Sequence, residues 1–96
     1  MTTIKKTIAD KFALGSVYCT RGVHEKIPIE AVMDVLRRHA SGDWGDVCQE
    51  DRDANEQALL DEARILSVFR LAEGVKVWVI TEADRSATTV LLPSEY

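Results

Sequence analysis

No stretch of this sequence approaches the roughly 18 to 20 apolar residues of a membrane span, and its start, MTTIKKTIADKF, lacks the apolar run of a secretion signal. A cytoplasmic protein is the expectation. Cysteine is scarce, with only Cys19 and Cys48, which sets aside a disulfide framework and favours buried thiols in a reducing compartment. Neither those two nor His24 and His39 stand at C-x-x-C or H-x-x-x-H spacing, so no zinc site is expected and the histidines read as surface imidazoles. Asp51 and Asp53 lack the glycine and terminal glutamate of a calcium loop. No glycine-rich strand-to-helix turn marks a nucleotide cofactor. No cofactor, metal or catalytic residue is therefore assigned. Five glycines and two prolines are too few for a low-complexity chain.

What is present fits one domain over residues 1–96, a length that buries roughly two-thirds of the unfolded surface without covalent staples. The net charge is −4, but it is unevenly spread. Residues 1–42 carry Lys5, Lys6, Lys11, Arg21, Lys26, Arg37 and Arg38 against Asp10, Glu25, Glu30 and Asp34. Residues 43–62 reverse the sign, with Asp43, Asp46, Glu50, Asp51, Asp53, Glu56, Asp61 and Glu62 against Arg52 alone.

The C-terminal run GVKVWVITEADRSATTVLLP has the period-2 alternation of a β-hairpin with a charged tip at Glu82–Ser86. Its first strand is apolar on both faces around Trp78, which predicts a central position covered on both sides. Residues 64–71 read as a further strand, with a continuation of the preceding helix as the competitor; Gly74 favours the strand because it can supply a positive-φ turn. Upstream, residues 1–11 read as a flexible arm, Phe12–Thr20 as a strand bent at Gly15 and Ser16, and Arg21–Ile27 as a connection. Pro28 opens a helix to Ala40, with Ile29, Val32, Met33, Leu36 and Ala40 as its apolar stripe and Gly42 as its stop. A second helix is predicted over residues 51–62 on the stripe Ala54, Ala58 and Leu59. The predicted fold is α+β, in the order β-α-α-β-β-β. A small antiparallel sheet combines a C-terminal meander with an N-terminal edge strand, and both helices lie on one face.

The pairing of Gly42-Asp43-Trp44-Gly45 with GVKVWVITEADRSATTVLLPSEY resembles a group of short proteins carried on plasmids, phages and other mobile elements of bacteria, often labelled type I restriction subunit-like or plasmid-related. The resemblance covers roughly residues 29–96. It implies a mobile-element setting, in which small proteins disarm or accompany host systems acting on nucleic acid.

Candidate contact residues fall in two groups. The hairpin tip offers Glu82, Asp84 and Arg85, either as a binding loop on a rigid scaffold or as turn caps and a surface ion pair. The acidic segment offers Asp43, Asp46, Glu50, Asp51, Asp53 and Glu56, either as a solvated face or as a surface that meets a basic groove. Trp44 stands between two glycines as a partner anchor or as a side chain closing the core. The leading expectation is a non-enzymatic interaction protein that occupies a host nucleic-acid-targeting complex, of anti-CRISPR or anti-restriction type. The second is an accessory module binding nucleic acid or a restriction-modification partner through the basic third, although the acidic segment disfavours direct duplex binding. A small enzyme is the third reading, and the size leaves a homodimer open.

Overall fold

The computed structural model describes residues 10–96. The predicted arm over residues 1–11 thus lies almost wholly outside the described residues; at its end the Lys11 N–H donates to the Ala40 carbonyl at 2.8 Å.

The fold is α+β. In chain order it comprises β1 (Ser16–Cys19), α1 (Arg21–Lys26), α2 (Ile29–Ala40), α3 (Gln49–Asp61), β2 (Ile65–Arg70), β3 (Lys76–Thr81) and β4 (Ala87–Leu91). Short 3-10 turns cover Ala72–Gly74 and Pro93–Glu95. The four strands form one sheet in the order β1-β4-β3-β2. The meander is antiparallel as expected, with Val68 opposite Trp78 and Trp78 opposite Leu91, so β3 is central. The edge strand β1, however, pairs with β4 in parallel, making the sheet mixed. The reason is connectivity. A helical crossover returns the chain to the end of the sheet it left, so β2 runs parallel to β1, and two hairpin reversals bring β4 into the same direction.

The regular strand β1 is shorter than the sequence suggests. Gly15, at φ +67°, bends the chain just before it, and Phe12 turns into the core instead. The predicted connection at 21–27 is instead helix α1, because Val23 and Ile27, four residues apart, are both buried in the main core. Helix α2 begins after Pro28 and ends before Gly42 as read, but its buried stripe is rotated. Val32, Val35, Leu36, His39 and Ala40 face the sheet, while Ile29 and Met33 face solvent.

The main core joins Val32, Val35 and Leu36 of α2 to Phe69, Val77, Val79 and Val90 of the sheet. Helix α3 lies along the free side of β2 rather than beside α2. There Asn55 donates its amide to the Leu66 carbonyl (2.7 Å) and accepts the Leu66 N–H (3.1 Å), standing in for a neighbouring strand. The opposite face of the sheet carries no helix among the described residues. Trp78, half-buried there, is covered by Tyr96 with ring centroids 5.3 Å apart, and Arg64 donates to the Tyr96 hydroxyl at 3.1 Å. The expected covering of β3 on both faces is therefore only partial.

Candidate partner-binding surface

The polar interior comes first, because it fixes what is left for the surface. His39 is fully buried, contrary to its reading as a surface imidazole. The Thr88 hydroxyl donates to the Leu14 carbonyl at 2.7 Å, so Thr88 Oγ1 can only accept from the Thr81 hydroxyl at 2.7 Å. Thr81 Oγ1, 2.8 Å from His39 Nε2, must then accept the Nε2 proton. Nδ1 is left as an acceptor for the Ser67 hydroxyl at 2.5 Å. One neutral tautomer satisfies the whole chain. Burial, and then the charge of Arg85, lower the His39 pKa to about 3. Phe12 and Trp44 meet the ring edge-on, at 5.2 and 6.0 Å. This imidazole is a structural group, sealed from any substrate.

Arg85 is likewise committed to the fold. At φ +61° it bends the hairpin tip so that its guanidinium donates to the carbonyls of Ala63 (2.7 Å) and Ala58 (2.9 Å) at the C-terminal end of α3. It also bonds the tip carbonyls of Glu82 and Ala83, and it lies 5.6 Å over the Phe12 ring. Helix α3 has no basic residue in its last turn, and Arg85 supplies the missing cation at the negative end of its dipole. Glu82 pairs with Arg64 at 3.5 Å rather than with Arg85. Asp84 accepts the Ser86 N–H at 3.0 Å, and bonding from the Ser86 side chain and amide holds its carboxyl below the usual range.

Trp44 is buried, stacks 6.1 Å from Phe12, and donates its indole N–H to Glu56 Oε2 at 2.7 Å. It closes the second core with Val47, Ala58 and Ile65 and is out of reach of a partner. Asp43 and Asp46, in the loop after α2, are ion-paired with Arg38 (2.8 Å) and Arg70 (3.2 Å). Partial burial works to raise Asp43, but hydrogen bonds from Arg38 and the Gly45 amide outweigh it and keep its pKa below the ordinary value.

Glu50, Asp51 and Asp53 are the remaining candidates, and all are exposed on α3. Glu50, Asp53, Gln57 and Asp61 follow at three- and four-residue spacing, which aligns them along one strip roughly 16 Å long. At its far end stand Glu62 and the docked hairpin tip, so the two groups of candidates occupy opposite ends of the same helix. Among the described residues, every ion pair uses a carboxylate outside α3: Glu25, Asp34, Asp43, Asp46 or Glu82. The one cation of α3, Arg52, donates instead to the Gly45 carbonyl at 2.8 Å. Among the described residues, no ion pair compensates the negative charge of this strip.

The two thiols are free and exposed, not buried as expected. Burial of part of its surface pushes the Cys19 thiol above its ordinary pKa, away from the thiolate a nucleophile needs. Among the described residues no cluster of His, Cys, Asp and Glu is arranged to hold a metal ion, and no helix is long and apolar enough to cross a membrane. No protein family, curated protein or solved structure matches this chain.

Proposed function

We propose that this chain is a binding protein that presents the acidic strip of α3 to a basic groove on a nucleic-acid-handling protein and blocks that groove. The observation that carries the reading is a contrast in ion pairing: Glu25, Asp34, Asp43, Asp46 and Glu82 are each paired with an arginine, while none of the five carboxylates of α3 has a cation partner among the described residues. Leaving such charges unpaired on a rigid helix raises the encounter rate with a positive surface and fixes its register. The mobile-element resemblance of residues 29–96 supplies the setting, a host complex that targets nucleic acid, with an anti-CRISPR or anti-restriction role as the concrete form. Direct nucleic-acid binding by the basic third is less well supported, because Arg21, Arg37 and Arg38 are all occupied by carboxylates.

The test is charge reversal with Glu50→Lys, Asp53→Lys and Asp61→Lys combined, which leaves the Trp44–Glu56 bond intact. A partner captured from bacterial lysate by the wild type is expected to bind the variant at least tenfold more weakly at low salt, with a flatter salt dependence. Equal affinity and equal salt dependence, in a variant that melts like the wild type, would overturn the reading.

A further inference from the structure

The two outer edges of the sheet are treated in opposite ways. Along β2, the Leu66 N–H and carbonyl are both taken by the Asn55 side chain. The Val68 N–H donates to the Trp44 carbonyl (3.1 Å), and its own carbonyl accepts the Asp46 N–H (2.6 Å). That edge is sealed. Along β1, the Ser16 N–H donates to the Ser86 carbonyl and the Thr20 N–H to the Val90 carbonyl, both at 3.0 Å. The alternation of a strand then turns the N–H and carbonyl of Val17 and Cys19 outward, where the sheet has no further strand among the described residues. An open edge is a template for pairing, and natural sheets ordinarily blunt it with charge, proline or a covering segment. Here the strand is Ser-Val-Tyr-Cys, uncharged, with Val17 45% and Tyr18 56% exposed.

We infer that β1 is a dimerisation edge, on which two copies of this chain pair antiparallel about a two-fold axis at Tyr18, joining two four-stranded sheets into one of eight. The edge is self-complementary. Val17 and Cys19 flank Tyr18 symmetrically, so each Val17 meets a Cys19 of the second copy, and each such pair exchanges two backbone hydrogen bonds. The two tyrosines meet as a non-hydrogen-bonded pair, the closer kind, on the helix-free face of the sheet.

The other face contributes as well. Register with Thr88 and Val90 puts Val17 and Cys19 on the same side as α2. There a groove lined by Cys19, Ile27, Pro28, Ile29 and Val32, together with the charged Glu25 and Lys26, lies beside the edge strand, and Ile29 also lines a second, neighbouring hollow with Met33. Ile29 and Met33 are 63% and 51% exposed. A two-fold axis normal to the sheet keeps both helical layers on one side, so groove meets groove and these side chains are covered. Val17, Tyr18, Ile29 and Met33 expose roughly 400 Å² between them, against about 800 Å² per partner in a standard interface. The strand backbone and groove walls add to that figure, and the size predicts a dimer that dissociates on dilution. This interface is separate from the acidic strip of α3, which lies at the far edge of the sheet, so each proposal can fail without the other.

Sedimentation equilibrium of the full chain across a micromolar concentration series tests it. The wild type is expected to pass from one to two chain masses. Val17→Pro removes only an outward N–H, which leaves pairing with β4 intact; it deletes two of the four intermolecular bonds and should weaken association roughly thirtyfold. Tyr18→Glu, which opposes like charges on the axis, should also dissociate the dimer, whereas Leu60→Glu on the exposed side of α3 should not. Register is read separately: in a Cys19→Ser, Cys48→Ser background, Tyr18→Cys should form an intermolecular disulfide under mild oxidation and Ser16→Cys should not. A chain that stays monomeric throughout, a dimer indifferent to both β1 variants, or cross-linking at position 16 rather than 18 would each overturn the inference.

Discussion

Acidification from pH 7 to pH 5 should remove about 2 kcal/mol of stability through His39 alone. The folded pKa is about 3 against 6.5 for the exposed group, so between those values the unfolded chain holds a proton that the folded chain refuses. Stability from this group is therefore fully present above the unfolded pKa, falls as the pH drops through it, and levels off below about pH 3. Over the whole window the linkage amounts to about 5 kcal/mol, comparable with the entire stability of a small domain. Its main physical source is burial, which removes solvent from the charged ring, and the surroundings of the two ring nitrogens act in the same direction. Nε2–H is donated to Thr81, and a second proton on Nδ1 would face a Ser67 hydroxyl that is itself donating, with Arg85 adding like-charge repulsion. Urea melts at pH 7, 6 and 5 measure the slope in a range where ordinary carboxylates stay ionised. His39→Gln is the comparator, since its amide can donate toward Thr81 and accept from Ser67 without titrating. The variant should start less stable and lose about 2 kcal/mol less on acidification. Parallel slopes for the two proteins would refute both the tautomer and the lowered pKa.

Two further outcomes are expected. Gly45→Ala should cost roughly 3 kcal/mol in urea melts, because a Cβ built there lies 2.0 Å from the Val68 carbonyl oxygen at a φ of +72°; a loss below about 1 kcal/mol would mean that the loop does not hold this bridge to β2. Arg85→Ala should cost roughly 2 kcal/mol and speed amide exchange selectively in the last turn of α3, whose carbonyls lose their donor; uniform exchange along α3 would refute the capping role.

The C-terminal strands are legible in the sequence because period-2 alternation and Gly74 act locally, and Gly74 does adopt the positive φ expected of it. The limits of α2 are legible for the same reason, through Pro28 and Gly42. The face that α2 buries is not. Two apolar arcs overlap on this helix, and side-chain hydropathy favours the one containing Ile29 and Met33. The sheet instead presents the hydroxyls of Ser67, Thr81 and Thr88, which make a satisfied place for His39 and rotate the helix toward it. The burial of Trp44 follows from the Phe12 that folds against it, a contact between segments 32 residues apart that no local pattern marks. The acidic segment is visible as composition, but its division is not: the structure alone separates Asp43, Asp46 and Glu56, which serve the fold, from Glu50 and Asp51, which have no cation partner among the described residues. Arg85 looks like an ordinary tip charge because nothing in sequence spacing joins position 85 to the carbonyls of Ala58 and Ala63.

The amide of Asn55 does more than stabilise α3 against β2, because together with Trp44 and Asp46 it closes that edge of the sheet. With Leu66 occupied by that side chain and Val68 by Trp44 and Asp46, the described residues leave one edge on which strands could add, and the pairing inferred there would end at two copies. An apolar residue at position 55 would free the Leu66 N–H and carbonyl, and release of the Trp44 and Asp46 bonds to Val68 as well would give the molecule two such edges. Growth would then have no built-in stopping point. Each chain could bridge two others, and the product of assembly would change from a closed pair to an open-ended stack of sheets. The side chain and loop that close this edge, on and beside the helix that carries the acidic strip, thereby stand between a closed pair and a fibre.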